Sequence, residues 1–176
     1  VTGTLSQGST GSSTFAGDVA GNVAVSAGTL TVDGASEFQS GLNVTGGAVV
    51  VDADLGVTGN TLVDTGGLTV NAGNTLTSNV QSGTLGGGGS VVVDGIVDGT
   101  LNANNTSTFD INAGGSVTGT ATHAGTGTST LAGTVGNLNI TAAGTVQVDG
   151  AAASNGLSFV DGGGTLAVQA GASYTA

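Results

Sequence analysis

Eleven acidic residues are the only side chains ionised at neutral pH, because Lys and Arg are absent and the chain has a single His. Four of them recur in one setting. Asp33, Asp52, Asp94 and Asp149 each follow an aliphatic-x-Val triplet, as in Leu30-Thr31-Val32-Asp33 and Val49-Val50-Val51-Asp52. Carboxylates repeated in a column could hold Ca²⁺, which gathers about six to eight oxygen ligands. A simpler use competes: Asp bonds its own backbone in turns and so punctuates strands. Like charges stacked about 4.8 Å apart also repel unless screened or bridged. The calcium-binding repeat of secreted toxins, G-G-x-G-x-D, is not matched by "GGAVVVDAD" or "GGGGSVVVDG". Turn capping is therefore the expected role of these four residues, and Ca²⁺ is the one cofactor the pattern admits.

Asp52-Ala53-Asp54 forms a second constellation. Paired carboxylates carry out acid and base steps in glycoside cleavage. Holding an anionic sugar would need a cation, and the sole candidate, His123, stands about seventy residues away. Almost every other catalytic residue type is missing, so the chain is expected not to be an enzyme and His123 to lie at the surface. "TGTATHAGTGTST" at 118–130 alternates Thr, and Thr118, Thr120 and Thr122 would then point one way, as in an ice-binding array. That Thr-x-Thr does not recur coil after coil, and Thr is common in any strand. Asn43-Val44-Thr45, Asn104-Asn105-Thr106, Asn105-Thr106-Ser107 and Asn139-Ile140-Thr141 match the glycosylation sequon. Chance produces such matches readily in a chain rich in Asn and Thr.

Composition excludes several functions. With 176 residues, a formal charge of −11 and no cationic side chain but His, nucleic acid and anionic membranes are not expected partners. Absent Lys rules out isopeptide, Schiff-base and P-loop chemistry, and absent Arg removes bidentate carboxylate recognition. Absent Cys removes disulfides and thiolate metal sites. The longest aliphatic run, Ala48-Val49-Val50-Val51, is far below the roughly 20 residues of a membrane-spanning helix. The chain starts at Val1 with neither an initiator Met nor a signal-peptide pattern, which reads as a mature secreted chain or an internal piece. Its Gly, Ala, Ser, Thr, Val and Asn bias, and its lack of tryptic sites, point to an extracellular home.

The elements that must position these residues follow from a repeat. Residues 23–79 divide into three consecutive pieces of nineteen. Aligned, they place Val25, Val44 and Val63 together, then Gly28, Gly47 and Gly66, then Leu30, Val49 and Leu68. Val32, Val51 and Val70 follow, then Asp33, Asp52 and Asn71, and last Phe38, Val57 and Leu76. A fixed period of this size marks a solenoid. Triplets such as Leu30-Thr31-Val32 and Leu42-Asn43-Val44 carry the two-residue period of a strand, with the outer residues inward and the middle one to solvent. Gly, Asn and Asp after each triplet supply the turns. The expected fold is all-β: a parallel β-helix of about 19–20 residues per coil and roughly 8–9 coils, with no α-helix.

This would be a single β-solenoid domain over 1–176, regular at 23–79, irregular at 80–137 and regular again at 138–170. Val80 to Gly83 reads as a four-residue insertion. Residues 121–137, "ATHAGTGTSTLAGTVGN", are expected to pack thinly around Ala and Thr. Neither end shows the Lys, Pro or polar cap that blunts an open strand edge, so identical subunits stacked head to tail are the expected partner.

"LNVTGGAVVVDADLGVTGN" and "GGLTVNAGNTLTSNVQSG" resemble the repeat regions of secreted bacterial surface proteins, the adhesin and autotransporter-passenger type of β-solenoid. They are also similar to the "LNVTG" repeats of phage tail fibres, which wind three chains together. The resemblance spans roughly Thr4 to Ala170 and implies an extracellular, non-catalytic, elongated element, structural or adhesive, with surface glycans as a further partner. It carries over no site residues. The leading expectation is a self-assembling surface filament or sheath. The alternatives are a trimeric phage tail fibre or adhesin stalk that attaches to a host receptor and, more remotely, a polysaccharide-acting β-helix or an ice-binding protein.

Overall fold

A computed structural model describes the whole chain, residues 1–176. It contains no helix, and its strands stack as a parallel β-solenoid of about nine coils. Each coil has three faces. The first runs from Leu5–Gln7 through Val23–Val25 and Leu42–Val44 to Ser158–Val160. The second is a nine-stranded sheet that begins Ser12–Phe15, Thr29–Val32, Ala48–Val51 and ends at Thr165–Val168. The third runs from Ser36–Phe38 through Ile96–Asp98 to Ser173–Thr175. The first and third faces belong to one thirteen-stranded sheet, because strands such as Leu55–Val63, Ser116–Gly125 and Thr134–Ile140 turn the corner between them unbroken.

Glycine makes that corner possible. A Cβ on Gly59, Gly119 or Gly136 would stand 2.3–2.6 Å from a carbonyl oxygen of the coil before it. No side chain fits so close a backbone approach. At the turn between the first and second faces the need is conformational, since Gly28 and Gly47 hold φ of +69° and +72°.

Inward positions form one cluster of 33 buried apolar residues running the length of the stack. Val25, Val44 and Val63 pair in register, as do Leu30, Val49 and Leu68, and Val32, Val51 and Val70. Each such side chain contributes about 1.5–3 kcal/mol when fully buried.

Four expectations need correction. Leu76 does not join the column of Phe38 and Val57; it pairs with Leu55 and Val97, because the turn between Val70 and Leu76 takes two more residues than the turn between Val51 and Leu55. Val80 to Gly83 is no insertion, since Val80 is buried and pairs with Thr61 at the regular offset. The four extra residues lie in the turn after Ser82: Gly67 pairs with Ser90, twenty-three positions on, and Leu85 projects there 74% exposed. Residues 121–137 are well filled, with Ala121, His123, Ser129, Leu131 and Val135 all essentially inaccessible. The first coil, lastly, carries a polar plug. Gln7 and Ser13 occupy the columns of Val25 and Leu30. Gln7 Nε2 donates to the carbonyls of Ser9 and Gly11, and Ser13 Oγ donates to Gln7 Oε1 at 2.8 Å.

Candidate functional site

The column of Asp33, Asp52 and Asn71 forms as the repeat predicts, at the corner that leaves the second face. Asp94 and Asn112 continue it, then Ala132, then Asp149. Two neighbouring pairs in it are joined by amide-to-carboxylate hydrogen bonds. Asn71 Nδ2 donates to Asp52 Oδ1 at 3.1 Å, and Asn112 Nδ2 to Asp94 Oδ1 at 2.7 Å. An amide beside a carboxylate replaces a repulsion with a bond, which suits Asn71 and Asn112 to their places next to Asp52 and Asp94. Asp52 and Asp94 are thus the ladder's hydrogen-bonded carboxylates, while Asp33 and Asp149 stand in the same column.

Asp52 and Asp54 are not brought to one site. Asp52 belongs to the ladder, whereas Asp54 Oδ1 accepts the backbone N–H of Thr75 at 2.8 Å and faces the third sheet face. There an open groove of about 800 Å³ gathers Glu37, Asp54 and Asp98 with Thr58, Thr75 and Thr77. Glu37 lies across Gly56 of the next coil, where a Cβ would collide with its carboxylate, and its Oε1 accepts the Thr58 hydroxyl at 3.0 Å. Asp98 Oδ1 accepts the Thr118 hydroxyl at 2.7 Å. Sequence reading missed Glu37 and Asp98. Their signal was the outward column they share: Glu37 pairs with Gly56, Gly56 with Thr77, and Thr77 with Asp98.

His123 is not at the surface. It fills the inward column between Ala103 and Ile140, fully buried, with its ring edge-on to Phe109 at 5.9 Å. Nε2 reaches the Gly127 carbonyl at 3.0 Å and Nδ1 reaches Ser129 Oγ at 3.1 Å. Since a carbonyl only accepts, Nε2 carries the proton and Nδ1 accepts from Ser129. Burial holds the imidazole below its ordinary pKa, only partly offset by the Gly127 carbonyl. His123 and Ser129 stand six residues apart, as Gln7 and Ser13 do, and both His123 and Gln7 bond the carbonyl four residues on. The two are one device: a polar side chain that ties a four-residue turn from within. Six residues also separate Ala103 from Phe109 and Ile140 from Val146 in these columns, so the spacing alone does not mark the device.

Thr118, Thr120 and Thr122 do not share a face. The corner at Gly119 divides them, leaving Thr118 beside Asp98 and Thr120 bonded to Asn137 on the first face. Outward rows are mixed; the second face reads Thr31, Val50, Thr69, Val92, Asp110, Thr130.

The fold defines the class: a three-faced, single-chain parallel β-solenoid with an amide-carboxylate ladder on one corner. Comparison with protein-family models, with curated proteins and with solved structures finds nothing that matches the chain.

Proposed function

We propose that this chain is a structural unit of an extracellular filament or sheath, extended by end-to-end stacking of identical β-solenoids. One observation carries the reading. In the last coil the inward columns lie open, with Val160 45% and Val168 49% exposed, whereas Ile140 and Val148 one coil earlier in the same columns are at 0%. Apolar columns and unpaired strand edges of this kind are best covered by another coil of the same cross-section. The first coil offers one: Leu5 and Phe15 are partly exposed, and the Gln7–Ser13 pair is bonded within its own plane, so a junction buries no unmet polar group there.

All three faces come from one chain, which favours stacking of closed rods over a fibre in which three chains wind together. The missing cations and the dispersed, hydrogen-bonded carboxylates favour a mechanical role over catalysis. Electron microscopy of the native material, with and without a calcium chelator, tests the reading. Continuous fibres with an axial repeat of about 43 Å are expected in both conditions, from nine coils at about 4.8 Å each. Discrete short rods or three-fold particles would sink it.

A further inference from the structure

The turn "GTLGGGG" at 83–89 joins the first face to the second in mid-rod, with coils stacked on both sides, and is four residues longer than the equivalent turn at 64–66. We propose that its Leu85–Gly86 peptide bond is a processing site, cut by an endopeptidase whose specificity pocket takes a large aliphatic side chain. Leu85 is 74% exposed, an apolar side chain of the kind a hydrophobic specificity pocket accepts. The main chain around it is equally open. No backbone hydrogen bond ties residues 84–88 to the coil on either side, whereas the strands that flank the turn are paired on both edges. Gly86 to Gly89 follow Leu85 without a side chain to obstruct the extended conformation a protease cleft demands. Exposed tips of this composition are where native chains are nicked.

Leu157 is the competing position, at 83% exposure. Its N–H donates to Asn137 Oδ1 at 2.9 Å, its carbonyl accepts the Leu138 N–H at 3.1 Å, and Ser158–Val160 lie paired with Leu138–Ile140. Opening that backbone means stripping a strand from the sheet, whereas opening 84–88 breaks no sheet pairing. The restraints on the turn are lighter. The Gly86 N–H bonds the Gly83 carbonyl at 3.3 Å, and the Ser107 hydroxyl bonds the Gly87 carbonyl at 3.3 Å. Asp64 Oδ1 accepts the N–H groups of Leu85 at 3.2 Å and Gly87 at 3.1 Å, one on each side of the bond to be cut. As the one charged partner among them, Asp64 is the latch on the turn.

In the cut, water adds across the amide: the C–N bond breaks, Leu85 retains a carboxylate and Gly86 leaves as an ammonium. Both halves stay in place, because Gly67–Val70 pairs with Ser90–Val93, and Thr75–Ser82 with Ile96–Asp98 and Leu101–Asn105, across the cut. The rod keeps its shape and loses its covalent path, so a pulling force there is carried by non-covalent pairing alone. The turn lies far from both ends, and the processing site stands whether or not the rods polymerise.

Limited digestion of the folded chain with chymotrypsin, read by intact-mass spectrometry, tests this. The first products should be residues 1–85 and 86–176, and the two should co-sediment until denaturant is added. L85S, with an unchanged circular dichroism spectrum, should be cut at this turn about tenfold more slowly or less. D64A, which frees the Leu85 and Gly87 N–H groups, should be cut about threefold faster or more. The proposal is overturned if the first cut falls elsewhere, Leu157 included, if L85S is cut at this turn as fast as the parent, or if D64A is cut no faster. It is also overturned if the two pieces separate in native buffer, or if the cutting rate follows global unfolding across a denaturant series.

Discussion

His123 and the corner ladder are the two places where a single side chain decides how the solenoid responds to solution conditions. His123 is held neutral in the fold, with a pKa below its ordinary 6.5. Unfolded chains therefore bind the extra proton first, and stability is full above pH 6.5 and declines as pH falls from there toward the depressed folded value. Thermal unfolding followed by circular dichroism should show the midpoint dropping between neutral pH and about pH 5. H123Q, which keeps a donor for the Gly127 carbonyl, should flatten that slope; an unchanged slope would place its origin elsewhere. The ladder makes the opposite kind of prediction. N71D replaces an amide with a carboxylate next to Asp52, so the variant should be destabilised in low salt and recover as salt is added. Parent and N71D melting curves across a salt series read this directly. The repeat made the Asp column legible through the alignment of Asp33, Asp52 and Asn71. It could not show that Asn71 and Asn112 are donors to the carboxylates, because hydrogen-bond direction is set by rotamers. His123 was illegible for another reason: polar residues are usually placed outside, and its six-residue spacing to Ser129 is shared by the apolar pair Ala103 and Phe109.

Strands and turns obey the two-residue alternation so closely that the inward columns could be written from the sequence between Val23 and Val70. Reading failed where the chain changes direction. Leu76 slipped out of its expected column because the turn before it, residues 71–75, is two residues longer than the turn at 52–54, and periodicity carries no information about how many residues a turn takes. The extra residues after Ser82 were misplaced for a related reason. "GTLGGGG" at 83–89 is a turn of high Gly content, and Val80-Gln81-Ser82 looks unlike the aliphatic triplets even though it lies on the first face. Two substitutions separate essential from dispensable backbone. G119A places a methyl carbon 2.6 Å from the Gly99 carbonyl oxygen, and should lower stability by about 1–3 kcal/mol in denaturant titrations. Leu85 projects from the longer turn at 74% exposure, so L85S should leave the same titration unchanged within about 0.5 kcal/mol. L68A, in the centre of the continuous core, should cost about 2–5 kcal/mol.

For the whole molecule, stacking is the property that sequence and structure together make testable. Fold class and the approximate coil count were legible because a period near nineteen leaves few architectures open. The plugged character of the first coil was not, since it arises from contacts among Gln7, Ser9, Gly11 and Ser13 that a pattern of hydrophobicity does not record. Blocking the open end should block assembly: V168D, in the last strand of the second face, should shift material from fibres to single rods of 16.2 kDa in sedimentation. Fibres that persist in V168D would require another junction. Contacts between elements join each coil to its neighbours, through pairings seventeen to twenty-three residues apart. Pulled from its two ends, such a chain has no reason to give way all at once. It should peel one coil at a time, in a sawtooth of force whose steps lengthen the chain by about 60–80 Å each, the contour of one coil. A rod built this way absorbs work repeatedly before it parts, which makes it a shock absorber as well as a strut.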